Sequence, residues 1–298
     1  MRPYLQQLVY SLLLALVAST APILTTSAQE AQKSLLYKVS GKGLEKPSYV
    51  FGTIHIMCQE DFFMPKALQE ALKESDKLVL ELDYSDQKSM SQAQMKAVMA
   101  PNQPNLGTLM SDEDSAMVDD FLIANYGIGL QAFGTMKPIA TFALVIDKSL
   151  PCKKAAFEME LTKLAKADSL EMGGLEEVAF QMSLFDAVPI EEVIGWIIEG
   201  VKEIKAGDTE SMDELMAAYK GQDIEQLHDM IMSEERMANY ADRMVYDRNA
   251  DWIPKMKAEM ENMPTVFAVG AGHLGSEKGV INLLGEAGYT VEAVPLEE

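Results

Sequence analysis

The chain has 298 residues, with 46 Asp and Glu against 25 Lys and Arg, and a formal net charge of −21. Apolar residues make up 48% of it, enough to bury a full core. A surface this acidic repels nucleic-acid phosphates and anionic headgroups, which excludes nucleic acid as a partner. The charge suits cationic partners, a bound divalent metal, or solubility alone.

Arg2 is the only charged side chain before Glu30. An apolar run from Leu8 to Ala21 follows it, ending in small and polar residues, with Thr26-Ser27-Ala28 as a small-residue cleavage site. That order predicts a secretory signal over residues 1–28 and one exported domain, periplasmic or secreted, over 29–298. The run is short for a bilayer span, which needs ~20 apolar residues, so no membrane span is expected after cleavage. An uncleaved N-terminal anchor is the alternative. There are two cysteines, Cys58 and Cys152, and an isolated pair in an oxidising compartment reads as a disulfide. Two separate buried thiols, or Cys58 as a metal ligand, are the other readings.

Ser48–Phe51 is a β-prone run followed by Gly52-Thr53-Ile54-His55. Pro65 suits a helix start, and Leu68, Ala71 and Leu72 carry a helical period to about Ser75. Leu78–Asp83 then reads as a strand. From Ser85 to Glu261 the pattern is mostly amphipathic helix, as in Val193-Ile194 with Ile197-Ile198. One break has Ser169–Gly174 as a short strand, with Leu175-Glu176 opening the next helix and Glu176 near the strand end. At the C-terminus Thr265–Val269 is a buried-strand pattern, followed by Gly270-Ala271-Gly272-His273. Ser276 is placed to cap a helix through Val280, Leu283, Leu284 and Ala287, Gly288 to end it, and Thr290–Val294 forms a last strand. The two ends share one plan: apolar strand, Gly-x-x-His, helix, strand. The expected fold is α/β, a mixed sheet built from two related strand–helix–strand halves with a large helical insertion. Loops at the carboxyl ends of such strands are where open α/β sheets bind ligands.

Only three histidines occur, His55, His228 and His273, and two of them sit in Gly-x-x-His directly after an apolar strand. Glu81 lies within the strand pattern, where a carboxylate is costly unless paired, hydrogen-bonded or metal-bound. Two imidazoles and a carboxylate suit a divalent ion, Zn, Mn, Co or Fe, with open positions for water. Alternatively Glu81 is the base beside a metal held by others, or an edge-strand residue facing solvent. Asp83 lies nearer the strand end. His228 sits in a charged helical segment and reads as a surface residue. Arg248, in Asp247-Arg248-Asn249-Ala250-Asp251-Trp252, could polarise a carbonyl or stabilise an oxyanion, or form a surface ion pair. The 21 methionines fill the core of the middle helices or line a flexible groove for peptides.

At these residues the sequence resembles the TraB/GumN family, which includes the Tiki metalloproteases. The resemblance rests on Phe51-Gly52-Thr53-Ile54-His55, then Glu81-Leu82-Asp83, Gly174-Leu175-Glu176 with Gln181, Arg248-Asn249 with Trp252, and Val269-Gly270-Ala271-Gly272-His273-Leu274. It implies a metal-dependent hydrolase acting on a peptide or protein substrate, with His55, Glu81 and His273 carrying the metal or its activated water. Arg248 and Glu176 would be supporting residues. A distant similarity to erythromycin esterase-like hydrolases implies the same His/Glu/His arrangement. Two other functions stay open: an extracytoplasmic protein that sequesters a peptide without cutting it, and a hydrolase of a non-peptide ester or amide.

Overall fold

The computed structural model describes residues 33–233 and 238–296. The expected signal over residues 1–28 lies outside them.

Strand β1 (Leu36–Ser40) turns back into β2 (Ser48–Thr53), and a short strand β3 (Met57–Cys58) follows the Gly-x-x-His loop. Helix α1 (Lys66–Glu74) buries Leu68, Ala71 and Leu72, the three positions whose spacing predicts its inner face. Strand β4 (Lys77–Leu82) comes next. Helices α2 (Gln87–Val98), α3 (Asp112–Tyr126) and α4 (Pro138–Ser149) begin the insertion. Asp86 caps α2 by accepting from the Lys88 and Ser89 N–H groups, and Gly127 ends α3 in the left-handed conformation. Strand β5 (Lys154–Ala155), helix α5 (Phe157–Ala167), strand β6 (Glu171–Glu176) and helix α6 (Val178–Ser183) return the chain to the sheet. Helices α7 (Ile190–Ala206), α8 (Glu210–Lys220) and α9 (Ile224–Ser233) lead to α10 (Asp247–Asn262). Strand β7 (Thr265–Gly270), helix α11 (Val280–Glu286) and strand β8 (Thr290–Val294) complete the described chain. No helix among the described residues is long and apolar enough to cross a membrane.

The six-stranded sheet has the order β6-β4-β7-β2-β1-β8. Pairing is parallel at β6–β4, β4–β7 and β7–β2 and antiparallel on both sides of β1, so β1 alone runs against the rest. This is a mixed sheet made from two strand–helix–strand units, β2–α1–β4 and β7–α11–β8. The units interleave: β7 lies between β2 and β4. Parallel strands in this position are buried on both faces, and β2 and β4 are buried through almost their whole length. Glu81 therefore lies on an interior strand rather than an edge, and it is 7% exposed.

A second apolar cluster, from Val118, Leu122, Val145, Ile197 and Val201, is built by the insertion's own helices α3, α4 and α7. Several methionines pack in the cores, Met216, Met244, Met256 and Met260 among them.

Three local expectations change. The strand at residue 171 runs on through Leu175 and Glu176, because Gly174 and Glu176 pair with Leu80 and Leu82 of β4, and the helix starts at Val178. Ser276 does not cap α11. It sits in a tight turn with φ 79°, its N–H bonded to Glu225 Oε2, and the helix begins at Val280, after Gly279. His228 is buried rather than on the surface: α9 turns it inward with Ile224 and Leu227, and its Nε2 meets Tyr246 Oη at 2.9 Å.

Candidate active site

The parallel strands β2, β4, β6 and β7 end on one edge of the sheet. That edge brings together His55, two residues past β2, Glu81 near the end of β4, Glu176 as the last residue of β6, and His273 after β7. Neither glycine of the paired motifs is in the left-handed region, so each is there for close approach and not for a turn. A Cβ on Gly52 would lie 2.8 Å from Leu274 Cδ1 and 3.1 Å from Ala271 Cα. A Cβ on Gly270 would stand 3.3 Å from Glu81 Oε1, 3.5 Å from His273 Cδ2 and 3.8 Å from His55 Nε2. The missing side chain of Gly270 thus lets these three residues converge around its Cα.

Arg248 reaches this edge from α10. A single π-helical turn over Asp242–Tyr246, closed by the Asp247 N–H on Asp242 O, precedes it. After that widened turn Arg248 and Asn249 both face inward, at 7% and 0% exposure. All five guanidinium N–H groups are engaged. Nε and Nη2 grip Glu176 at 2.9 Å each, and Nη2 also donates to Glu81 Oε2 at 2.6 Å. Nη1 donates to Met244 O at 2.9 Å and to His273 Nε2 at 3.1 Å. The guanidinium also lies over the Trp252 ring, whose Nε1–H donates to Glu176 Oε1.

These bonds define the protonation of His273. Asn249 uses its amide N–H groups on the carbonyls of His273 and Lys278, so its Oδ1 accepts from His273 Nδ1 at 2.6 Å. Nε2 is then the lone-pair nitrogen that accepts from Arg248. Burial is the largest influence on this imidazole; with Arg248 and His55 it outweighs the pull of Glu81 and pushes the ring down to about 3. Burial would raise the Glu81 carboxyl, but the His273 and His55 imidazoles, Arg248 and the Gly270 N–H hold it at about 2. With His273 neutral, the lasting positive charges beside Glu81 are those of Arg248 and His55. Gln181 adds a hydrogen bond to Glu81 Oε2 at 3.1 Å.

His55 is the outermost member, with 68% of its side chain exposed. Its Nδ1 bonds Glu158 Oε1 at 2.8 Å. Desolvation would lower this imidazole, but Glu158 and Glu81 outweigh it and push it up to about 9. At neutral pH the two motif histidines are therefore split: His55 is a cation and His273 is neutral.

All five expected site residues, His55, Glu81, His273, Arg248 and Glu176, meet at one sheet edge. Asp83 does not join them; it is exposed and accepts from the Ser85 N–H. Glu158 has no distinguishing sequence signal, being one acidic residue in the first turn of a helix. Asn249, Gln181 and Trp252 fall within the quoted motifs, but their bonds are set by the tertiary structure.

Among the described residues no group of three or more His, Cys, Asp or Glu side chains is close enough to hold an ion. Arg248 stands where the His273 lone pair and a Glu81 oxygen converge, so the arrangement does not fit a metal centre. Cys58 is no ligand either, since it forms a disulfide with Cys152.

Two curated relatives from Danio rerio match over most of the chain. One, named metalloprotease TIKI2, is 22% identical over 91% of this chain and 63% of its own length. The other, named metalloprotease TIKI1, is 21% identical over 91% of this chain and 65% of its own length. The chain thus spans under two thirds of the relatives it matches. No solved structure matches it significantly. The family model described as TraB/PrgY/gumN matches residues 35–293, and the chain belongs to that family.

Proposed function

We propose that this protein is an exported hydrolase of peptide bonds and that its site is the cluster around Gly270. The observation that carries the reading is the convergence of His55, Glu81 and His273 around Gly270 at the carboxyl edge of parallel strands. The names of the relatives support a peptide or protein substrate. Export is supported by the Cys58–Cys152 disulfide, a bond that persists in oxidising compartments, and by the N-terminal sequence pattern. We take residues 29–298 as one domain, in keeping with a family match that runs through residues 35–293.

In this reading the scissile carbonyl enters the space over Gly270. His55, cationic and exposed, donates from Nε2 and hands a proton to the leaving amine. Glu81 Oε1, anchored by the Gly270 N–H at 2.8 Å, orients the attacking water and accepts its proton. Arg248, with every N–H committed, acts by fixing Glu81, Glu176 and His273 rather than by reaching substrate. The relatives' names imply a divalent ion. Zn, Mn, Co or Fe on His55, Glu81 and His273 would require Arg248 to leave two of those residues.

The test is hydrolysis of a fluorogenic peptide library by purified protein, with and without chelator, beside elemental analysis for metal. Turnover by wild type and none by His55→Ala or Glu81→Gln is expected. Wild-type levels in both variants, or no turnover by wild type under any metal supplement, would refute the peptidase reading.

A further inference from the structure

Glu158 meets the site from outside the Arg248 cluster. It occupies the first turn of α5, where a carboxylate ordinarily faces solvent. Here its side chain is only 12% exposed, and Oε1 takes the His55 Nδ1 at 2.8 Å and the Thr53 hydroxyl at 3.2 Å. Residues 103 apart in sequence are thus joined at the site's outer rim.

Several independent constraints hold that pair in place. β3 and β5 form a two-stranded ladder, Met57 opposite Ala155 and Cys58 opposite Lys154. The Gln59 N–H extends it onto Lys153 O at 2.7 Å, and the Cys58–Cys152 disulfide closes its far end. Phe157, adjacent to Glu158, is fully buried with its ring 5.3 Å from Phe51 and 4.8 Å from Phe62. The backbone carrying Glu158 is therefore fixed against the backbone carrying His55 from two sides. An imidazole two-thirds exposed has little packing to choose among its rotamers. Its orientation depends on the bond at Nδ1, and an imidazole oriented by a carboxylate is the recurring way a proton-transfer histidine is set to work.

We propose that Glu158 is a positioning residue of this site: by accepting the His55 Nδ1–H it fixes the ring and aims Nε2 at the space over Gly270. The catalytic consequence rests on the hydrolase reading; the positioning does not. Three histidines make the experiment simple. In 15N-histidine-labelled protein, long-range proton–nitrogen correlation reads the protonated nitrogens of each ring. Wild type should show His55 with a slowly exchanging Nδ1 proton. Glu158→Ala should lose that signal while His228 and His273 stay unchanged, which certifies the fold, and Glu158→Asp should restore part of it. On the same peptide library, Glu158→Ala should lower kcat by ~10²-fold with KM little changed, and Glu158→Asp should recover part of the loss. An unchanged His55 ring in Glu158→Ala would overturn the proposal. A wild type with no turnover but the expected ring signals would overturn the hydrolase reading and leave the positioning role standing.

Discussion

Replacing Arg248 with methionine keeps much of the side-chain volume and removes the charge. The consequence follows from what the guanidinium neutralises. Arg248, Glu81 and Glu176 have side-chain exposures of 9%, 8% and 1%. Without Arg248 two carboxylates remain in the interior with few donors, and His273 Nε2 loses its partner. Removing one partner from a buried ion pair costs ~3–5 kcal/mol, because the orphaned charge keeps its desolvation penalty. The upper part of that range is expected here, since two acids are orphaned together. Urea denaturation followed by circular dichroism at pH 7 measures it. A second change locates the cause: Glu176→Gln in the Arg248→Met background should restore part of the stability, although Glu176→Gln alone destabilises. Arg248→Lys should recover little, since an ammonium cannot grip Glu176 with two parallel bonds and reach Glu81 as well. A loss below ~1 kcal/mol for Arg248→Met would refute the reasoning, as would strict additivity of the two changes.

Three other outcomes are expected. Replacing both cysteines with alanine opens a 94-residue loop, and the chain-entropy account puts the loss at ~4–5 kcal/mol, read as a lower urea midpoint with slower peptide turnover. Acid should destabilise through His273: its folded value lies near 3 against an ordinary 6.5, so stability falls as pH drops between those values, by at most ~1.4 kcal/mol per pH unit. Glu81 adds stability that is present above its unfolded value and lost as pH falls toward about 2, whereas His55 adds stability present below 6.5 and lost as pH rises through about 9. Urea midpoints across pH should therefore show a weaker acid limb in His273→Gln than in wild type. Gly270→Ala should fold, because φ −52° and ψ 133° suit alanine, yet lose peptide turnover because its methyl enters the space faced by Glu81, His273 and His55; full turnover would show that substrate does not use that space.

What could be read from the sequence alone was what short-range physics controls. Alternating or continuous apolar runs place β2, β4, β7 and β8, and the 3.6-residue period places the buried face of α1. The two Gly-x-x-His segments stand out because histidine is rare in this chain and both follow buried strands. With two cysteines in the chain, a disulfide could only join Cys58 to Cys152, and the structure makes that bond. Strand order was not legible, since hydrogen bonding between β4, β7 and β2 joins segments far apart in the chain. That order, with β7 between its neighbours, puts Glu81 on an interior strand and both histidines on one edge. Nor could sequence tell that α9 turns His228 inward, that Arg248 fills the gap between Glu81, Glu176 and His273, or that Glu158 reaches His55. A charged or polar side chain carries the same local pattern whether it meets water or a buried partner. Only the packed structure decides which, because burial leaves such a group no stable alternative to pairing.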